Sequence, residues 1–191
     1  MLISKCNSFL HKVQRCLSKE YYKLFIQHCG RNVSFEGRNV IIGGEYISIG
    51  KNSTFQRGLY LTAWNRYNEQ RFCPKIRIGK NCDFGAFNHI TCINEIVIGN
   101  GVLTGKWVTI SDNNHGDTSI DNLHLRPKDR PVISKGKVII GNNVFIGDKA
   151  TVLSGVVIGE GSVIGANCVV AKNVPPYSIV VGNPSKILNN K

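Results

Sequence analysis

The hydrophobic residues of this chain recur every six positions over much of its length. The repeat is most regular towards the C-terminal end, where it runs without a slip through Ile140, Ile146, Val152, Ile158, Ile164 and Val170. The same spacing occurs in three shorter runs, at Ile78, Phe84 and Ile90, at Ile98, Thr104 and Ile110, and more weakly at Ile49, Phe55 and Leu61. A six-residue period fits neither an α-helix, whose faces repeat every 3.6 residues, nor an alternating strand. It predicts an all-β fold, a parallel β-helix in which equivalent residues stack from coil to coil.

Glycine tends to follow the aliphatic position, and a small or β-branched residue tends to stand four places after it. Both suit a tight corner, because glycine tolerates turn dihedrals that are closed to other residues. The register breaks once on a large scale, after Ile110. We therefore predict a β-helix over residues 31–183 with a protruding loop at 111–137, followed by a C-terminal tail at 184–191.

Residues 1–30 have a different pattern. Apolar side chains stand at positions 3, 6, 10, 13, 17, 21 and 24, which is the stripe of an amphipathic helix, and the opposite face is basic. We favour a helical cap that packs over the first coil, because the end of a β-helix exposes unpaired strand edges. The alternative is a basic helix that lies on a membrane surface.

Charge and cysteine content narrow the function. The 191 residues include 24 Lys and Arg against 12 Asp and Glu, a formal net charge of +12 that suits anionic partners. Nucleic acid is not expected among them, because no recognised motif is present and only 8% of residues are aromatic. No apolar run reaches the roughly 18–20 residues of a membrane span, so we expect a cytoplasmic protein. The seven cysteines include no CxxC pair, and no metal site is expected.

Two positions stand out as candidates for chemistry. The loop at 111–137 contains His115 among several basic residues, and long loops in a regular fold carry function more often than the scaffold does. Asn88 occupies a corner slot of the register set by Phe84, where an amide is out of keeping with the repeat. This indicates either a polar function or structural stacking in the corner.

The C-terminal third of the repeat resembles a known family. The segment from Val138 to Leu188, VIIGNNVFIGDKATVLSGVVIGEGSVIGANCVVAKNVPPYSIVVGNPSKIL, is similar to the hexapeptide-repeat acetyltransferases, in particular the sugar O-acetyltransferases of the galactoside and maltose type and their capsular polysaccharide relatives. The resemblance implies a left-handed β-helix and a homotrimer with active sites between neighbouring subunits. It also implies direct transfer of an acetyl group from acetyl-CoA to a sugar hydroxyl, with no metal.

The same resemblance implies roles for individual residues. His115 matches the general base that takes the proton of the acceptor hydroxyl as its oxygen attacks the thioester carbonyl. The backbone N–H of Asp148 matches the donor that faces the oxyanion of the tetrahedral intermediate. It follows the triplet Phe145-Ile146-Gly147, in which Phe145 is a departure from the usual Trp.

Acceptor and cofactor contacts follow in the same way. The stretch FGAFNHITCINE resembles the family segment whose Asn hydrogen-bonds the sugar, which assigns Asn88, with Glu95 as a second acceptor contact. The residues that the resemblance places along acetyl-CoA are Phe145, Gly147, Gly165, Ala166, Ala171, Lys172 and Lys186. Gly165 and Ala166 leave room for pantetheine, whereas Ala171 and the two lysines line its adenine and phosphate end.

Other functions remain as alternatives. A γ-type carbonic anhydrase also uses this fold, but the spacing of His89, His115 and His124 does not match its zinc ligands. A non-enzymatic scaffold would not bind acetyl-CoA. Transfer to the amino group of a sugar or to a xenobiotic uses a similar His and fold, so the acceptor stays open.

Overall fold

The computed structural model describes residues 21–188 except residues 23 and 118. In these residues the chain winds through three sheets, here called faces A, B and C, as a left-handed β-helix. Face A contains β1 (His28–Cys29), β4 (Ile47–Ile49), β9 (Lys75–Ile78), β12 (Glu95–Ile98), β17 (Val138–Ile140) and β20 (Val157–Ile158). Face B contains β2 (Ser34–Phe35), β5 (Thr54–Phe55), β10 (Asp83–Phe84), β13 (Leu103–Thr104), β18 (Phe145–Ile146), β21 (Val163–Ile164), β23 (Ile179–Val181) and β24 (Lys186–Leu188). Face C contains β3 (Val40–Ile42), β6 (Tyr60–Ala63), β11 (His89–Cys92), β14 (Thr109–Ser111), β19 (Thr151–Val152) and β22 (Val169–Val170).

The six-residue repeat places its aliphatic positions inside the coils. Successive strands of each face pair in parallel, so that Ile98 lies opposite Ile140 and Ile140 opposite Ile158. All of these side chains are buried. The prediction of an all-β parallel β-helix is therefore confirmed.

Face B contributes an aromatic column to the core. The rings of Phe35, Phe55 and Phe84 stack with centroids 4.9 and 4.7 Å apart. Thr104 follows Phe84 in the same inward column, because β10 and β13 pair in parallel at these residues. The smaller threonine leaves room inside the coil for the polar side chain of Asn88.

Two excursions leave the coils, rather than the single large one expected. The first, at 64–74, contains the hairpin β7 (Arg66–Tyr67) and β8 (Gln70–Arg71). The second is the predicted loop after β14, which is closed at its base by the antiparallel pair β15 (Asn114–His115) and β16 (Val132–Ile133). This loop also contains the short helix α1 (Ile120–His124) and a 3-10 turn at Pro127–Asp129, and a further 3-10 turn lies at Gly44–Tyr46.

The described residues also cover the two ends of the coil. Tyr22 packs against Phe35 with ring centroids 4.7 Å apart, and its hydroxyl donates to the carbonyl of Asn39 at 3.0 Å. At the other end, β24 turns back antiparallel to β23, so that part of the predicted tail forms a strand. Most of the predicted N-terminal helix lies in residues 1–20, outside the described residues. No helix in the described part of the chain is long and apolar enough to span a membrane.

Candidate active site

His115 lies at the base of the long loop and is held there by backbone pairing. It stands opposite Val132 in the β15–β16 pair, and the next amide, of Gly116, donates to the carbonyl of Pro131 at 2.7 Å. The His115 side chain is exposed. A short antiparallel pair thus fixes the main chain of this residue while its imidazole stays accessible to a substrate.

The β7–β8 hairpin supports this loop from the neighbouring coil. The side-chain amide of Gln70 bonds both backbone groups of Val132, accepting from its N–H at 2.7 Å and donating to its carbonyl at 3.2 Å. Gln70 therefore continues the small sheet as a third strand would. The hydroxyl of Tyr67 donates to the carbonyl of Lys128 at 2.8 Å, and its ring meets the His115 ring edge-on with centroids 5.1 Å apart.

The loop, the hairpin and face C enclose a cavity of about 400 Å³, here called the His115 cavity. Its wall is formed by Trp64, Tyr67, His89, Thr91, Ile93, Asn113, His115 and Val132. The aromatic and aliphatic side chains give it apolar surfaces, and the two imidazoles and the amide supply polar groups. Small-molecule sites typically combine apolar walls with a few polar groups in this way.

A buried carboxylate anchors the point at which the loop leaves the coil. Asp112 is fully buried and accepts hydrogen bonds from the backbone N–H groups of Ile93 at 2.9 Å and Asn94 at 2.8 Å. The Cys92 thiol lies 3.1 Å from the same carboxylate. Burial, followed by the charge of Asp112, raises the pKa of Cys92 far above its ordinary value. Cys92 is therefore a thiol at neutral pH and is poorly suited to act as a nucleophile.

His89 is the second imidazole of the cavity. Partial burial lowers the pKa of His89 below its ordinary value, which favours the neutral ring at neutral pH. A neutral imidazole can both donate and accept a hydrogen bond. From the sequence, His89 was a candidate only as a zinc ligand, and its place in this cavity was not expected. In the described part of the chain, no three His, Cys, Asp or Glu side chains are grouped so that they could hold a metal ion.

Asn88 points into the coil rather than into the His115 cavity. Its side chain is 1% exposed, its amide nitrogen donates to the Thr104 hydroxyl, and its amide oxygen accepts from the Val108 N–H at 2.7 Å. It fills the space that Thr104 leaves in the core. This geometry supports the structural interpretation of Asn88, and its role in acceptor binding stays a prediction.

Glu95 belongs to an ion-pair cluster on face A. Its carboxylate bonds Arg77 and lies 2.8 Å from the ammonium of Lys137. The hydrogen bond from Lys137, together with the nearby positive charges, lowers the pKa of Glu95. Both carboxylate oxygens are thus engaged by side chains of the same chain. The acceptor contact predicted for Glu95 has no support from this arrangement and stays a prediction.

The predicted donor to the oxyanion lies at the corner between faces B and C. At the same place in the six-residue turn, the amide of Lys106 at this corner, and those of Lys80 and Asn100 at the corner between faces A and B, each donate to an Asn or Asp side-chain oxygen of the next coil, at 2.9 to 3.0 Å. The Asp148 amide has no such acceptor among the described residues, because Ala166 stands at the corresponding place. This N–H is therefore free to meet a negatively charged oxygen.

The other predicted cofactor residues are spread around the coil: Phe145 and Lys186 lie on face B, Gly147, Gly165 and Ala166 at the corner between faces B and C, and Ala171 and Lys172 directly after β22 of face C. Gly147 stacks directly beneath Gly165 and Ala166, where a side chain on Gly147 would meet the Ala166 backbone at 2.6 Å. Phe145 is 40% exposed on face B. The remaining predicted residues, Ala171, Lys172 and Lys186, are also exposed. Two small residues at an exposed corner leave room for a narrow chain such as pantetheine, and the lysines could pair with phosphates.

One chain does not bring these two groups of residues together. None of the residues that line the His115 cavity belongs to the corner of Asp148 and Ala166. The predicted base and the predicted oxyanion donor stand on opposite sides of face C. Trp64, Tyr67 and Gln70 were not expected from the sequence, although the interval from Leu61 to Ile78, well over one six-residue step, marks the excursion that carries them.

Comparisons with known proteins concern the family and the fold of the chain. Residues 137–172 match the family described as bacterial transferase hexapeptide (six repeats). The chain is 34% identical over 148 residues to the lipopolysaccharide biosynthesis O-acetyl transferase WbbJ of Escherichia coli, covering 74% of this chain and 70% of that protein. It is 28% identical over 155 residues to the galactoside O-acetyltransferase of Escherichia coli, covering 80% and 68%.

A similar solved structure is AntD, an N-acyltransferase from Bacillus cereus, in complex with dTDP and 3-hydroxybutyryl-CoA. It superimposes with a TM-score of 0.74 at 21% identity, covering 91% of this chain and 88% of that one. This likeness concerns the fold.

Proposed function

The chain belongs to the hexapeptide-repeat family of bacterial transferases, and from this premise we propose that it transfers an acetyl group from acetyl-CoA to a hydroxyl of a sugar or saccharide intermediate. The observation that carries the proposal is the His115 cavity. There an accessible imidazole is held by the β15–β16 strand pair beside aromatic and polar side chains. The names of the relatives support the reaction, and the sugar is the acceptor that these names point to.

In this reaction His115 takes the proton of the acceptor hydroxyl while the hydroxyl oxygen attacks the thioester carbonyl. The developing oxyanion accepts from the Asp148 amide, and its collapse expels the thiolate of CoA, which takes up the proton that His115 holds. A base of this kind contributes about 10²–10⁴ in rate. Direct transfer agrees with the state of Cys92, a buried thiol near the cavity whose raised pKa opposes nucleophilic attack.

We further propose that the active unit is a homotrimer with its sites between chains. The base and the oxyanion donor of one chain lie apart, so a neighbouring copy has to bring its Asp148 corner to the His115 cavity. Face B offers an apolar surface for contact between copies, a column of exposed side chains formed by Leu103, Phe145, Val163 and Ile179. Exposed apolar surface of this kind marks contact sites. The cytoplasmic location stays a prediction.

The first test replaces the base. We expect His115→Ala to lower kcat by at least about 10²-fold and to leave the KM for acetyl-CoA nearly unchanged, because the imidazole acts on the acceptor in the transition state. Release of CoA thiol is followed with acetyl-CoA and a panel of sugars, amino sugars and nucleotide sugars. The matched control is His124→Ala, an exposed histidine of the same loop outside the cavity. If His115→Ala kept the wild-type activity expected of His124→Ala, the mechanism would be excluded.

A further inference from the structure

Two aromatic rings stack on the surface at the corner between faces B and C. Phe87 and Trp107 have ring centroids 4.3 Å apart and an angle of 15° between their planes. Trp107 is 54% exposed. Both residues have a φ of 62°, in the left-handed region. Bulky residues rarely adopt this conformation, which is more common for Gly and Asn.

In the other coils, the position that Phe87 and Trp107 occupy at this corner carries a glycine or a non-aromatic residue. The equivalent positions of other coils are Gly58, Lys149 and Asn167. Gly58 makes room for the stack, because a Cβ there would lie 2.3 Å from the Phe87 ring. A left-handed conformation strains each of the two bulky residues, whereas the two rings form a single aromatic pair. The stack therefore recovers only part of the strain of its two residues.

The stack forms the wall of a second cavity, of about 330 Å³, here called the aromatic shelf. It is lined by Gly58, Tyr60, Phe87, Asn88, His89, Trp107 and Thr109. Tyr60 is 46% exposed and meets the His89 ring edge-on with centroids 5.7 Å apart. Aromatic rings offer a surface for the C–H face of a sugar ring, and Thr109 and His89 offer hydrogen bonds to its hydroxyls.

The aromatic shelf continues into the His115 cavity along face C. His89 lines both cavities, and Thr91, two residues further along the same strand and on the same side, lines only the His115 cavity. Two residues of a strand span about 7 Å. The shelf also borders the predicted oxyanion corner, because the amide of Lys106, next to Trp107, donates to the Asp148 carboxylate at 2.9 Å. A ligand on the shelf of one chain therefore lies between the His115 cavity and the Asp148 corner of that chain, which belong to neighbouring sites of the proposed trimer.

We propose that Tyr60, Phe87 and Trp107 form a binding subsite for a second sugar ring of the acceptor, so that the enzyme acts on a saccharide chain rather than on a free monosaccharide. This inference rests on the proposed sugar acetylation. The ring that carries the reacting hydroxyl lies in the His115 cavity, and the neighbouring ring lies against Trp107.

The two tryptophans of the chain allow binding to be tested without activity. Trp64 lines the His115 cavity and Trp107 the aromatic shelf, and the sequence has no other tryptophan. In Trp64→Phe, the emission of Trp107 is titrated with glucose, galactose and N-acetylglucosamine and with maltose, lactose and chitobiose. We expect at least one disaccharide to change this emission with a Kd at least about 10-fold below that of its monosaccharide, because only the disaccharide reaches both cavities. In Trp107→Phe, the emission of Trp64 reports binding in the His115 cavity.

A kinetic experiment tests the same subsite with acetyl-CoA present. We expect Trp107→Ala to raise the KM for the disaccharide at least about 10-fold more than the KM for the corresponding monosaccharide. The matched control is Tyr177→Ala, which removes another exposed aromatic residue with a φ of 55°, packed in the same way over Gly161 at a different corner. Tyr177→Ala should change neither KM.

The outcomes separate this inference from the proposed function. Acetylation of sugars with no preference for the disaccharide, or with equal losses for both sugars in Trp107→Ala, overturns the subsite and leaves the function. A disaccharide preference in Trp107 emission without any acetyl transfer supports the subsite and overturns the function. No change in the emission of either tryptophan overturns the subsite. A change in oligomeric state of Trp107→Ala, measured by light scattering, also overturns it and assigns the shelf to contact between copies.

Discussion

Asn88 shows how a single polar residue in this core serves the fold. Its amide bonds the Thr104 hydroxyl on one side and the Val108 N–H on the other, and all three residues are buried. Without the amide oxygen, the Val108 N–H would have no acceptor and no access to water. An unsatisfied buried donor costs about 1–3 kcal/mol, and the space left by the side chain adds to the loss.

We therefore expect Asn88→Ala to destabilise the protein by roughly 2–4 kcal/mol. The urea midpoint should fall, whereas the KM for the acceptor of the folded enzyme should change by less than about 3-fold. Asn65→Ala, at an exposed position with one side-chain hydrogen bond to Tyr46, is the control and should change stability by at most about 0.5 kcal/mol. A large rise in KM with an unchanged midpoint would restore the acceptor role that the sequence predicts for Asn88.

At single positions, the sequence indicates unusual residues better than it indicates their partners. The register showed that an amide at position 88 was out of place, but not that Thr104 in the next coil would leave room for it inside. The free amide of Asp148 could be predicted in principle, because it depends on Ala166 standing where the next coil supplies Asn or Asp at other corners. This inference needs only the coil register and a comparison of equivalent corners.

Among the elements, the β7–β8 hairpin has the clearest effect on the site. Gln70 bonds the N–H and the carbonyl of Val132, which stands opposite His115. The hairpin thus stabilises the strand that pairs with the strand of the predicted base, although it contributes no group to the proposed proton transfer. We therefore propose Gln70 as a positioning residue.

We expect Gln70→Ala to lower kcat by roughly 10-fold with little change in the KM for acetyl-CoA, because small displacements of a catalytic group cost rate. Hydrogen exchange at the Gly116 amide, which closes the base of the same loop, should become faster. Gln70→Glu keeps an acceptor for the Val132 N–H and should restore part of the rate. Arg71→Ala, an exposed neighbour in the hairpin, serves as the control. If Gln70→Ala changed neither kcat nor hydrogen exchange at the Gly116 amide, the hairpin would have no role in positioning His115.

The strands of this fold differ in how well the hydrophobic pattern of the sequence predicts them. The strands of the coils repeat every six residues, so that residues such as Ile146 and Ile164 indicate their faces directly. The strands β7 and β8 have two residues each, too few for any periodicity. Their position follows from Gln70 and Tyr67 meeting a loop some 60 positions away. Contacts between two irregular excursions are set by the packing of the whole coil, which a local pattern does not report.

At the scale of the whole molecule, the β-helix carries both parts of the proposed site, the His115 cavity and the Asp148 corner, on one coil. The aliphatic core keeps every corner in register, so that Gly147 lies under Ala166 and the small residues form one continuous edge. The His115 cavity lies across face C from that edge. A closed ring of identical chains can place the cavity of each copy against the edge of the next. Three copies would then contain three sites, each made from two chains.

This arrangement predicts complementation between two inactive variants. His115→Ala loses the base, and Ala166→Trp fills the exposed corner where pantetheine is expected to lie. Chains of the two variants, unfolded together in equal amounts and refolded, should recover about a quarter of the wild-type rate, because a quarter of the interfaces join an intact His115 to an intact corner. The rate of CoA thiol release measures the recovery, and each variant refolded alone is the control. If every site belonged to a single chain, the mixture would stay as inactive as its parts.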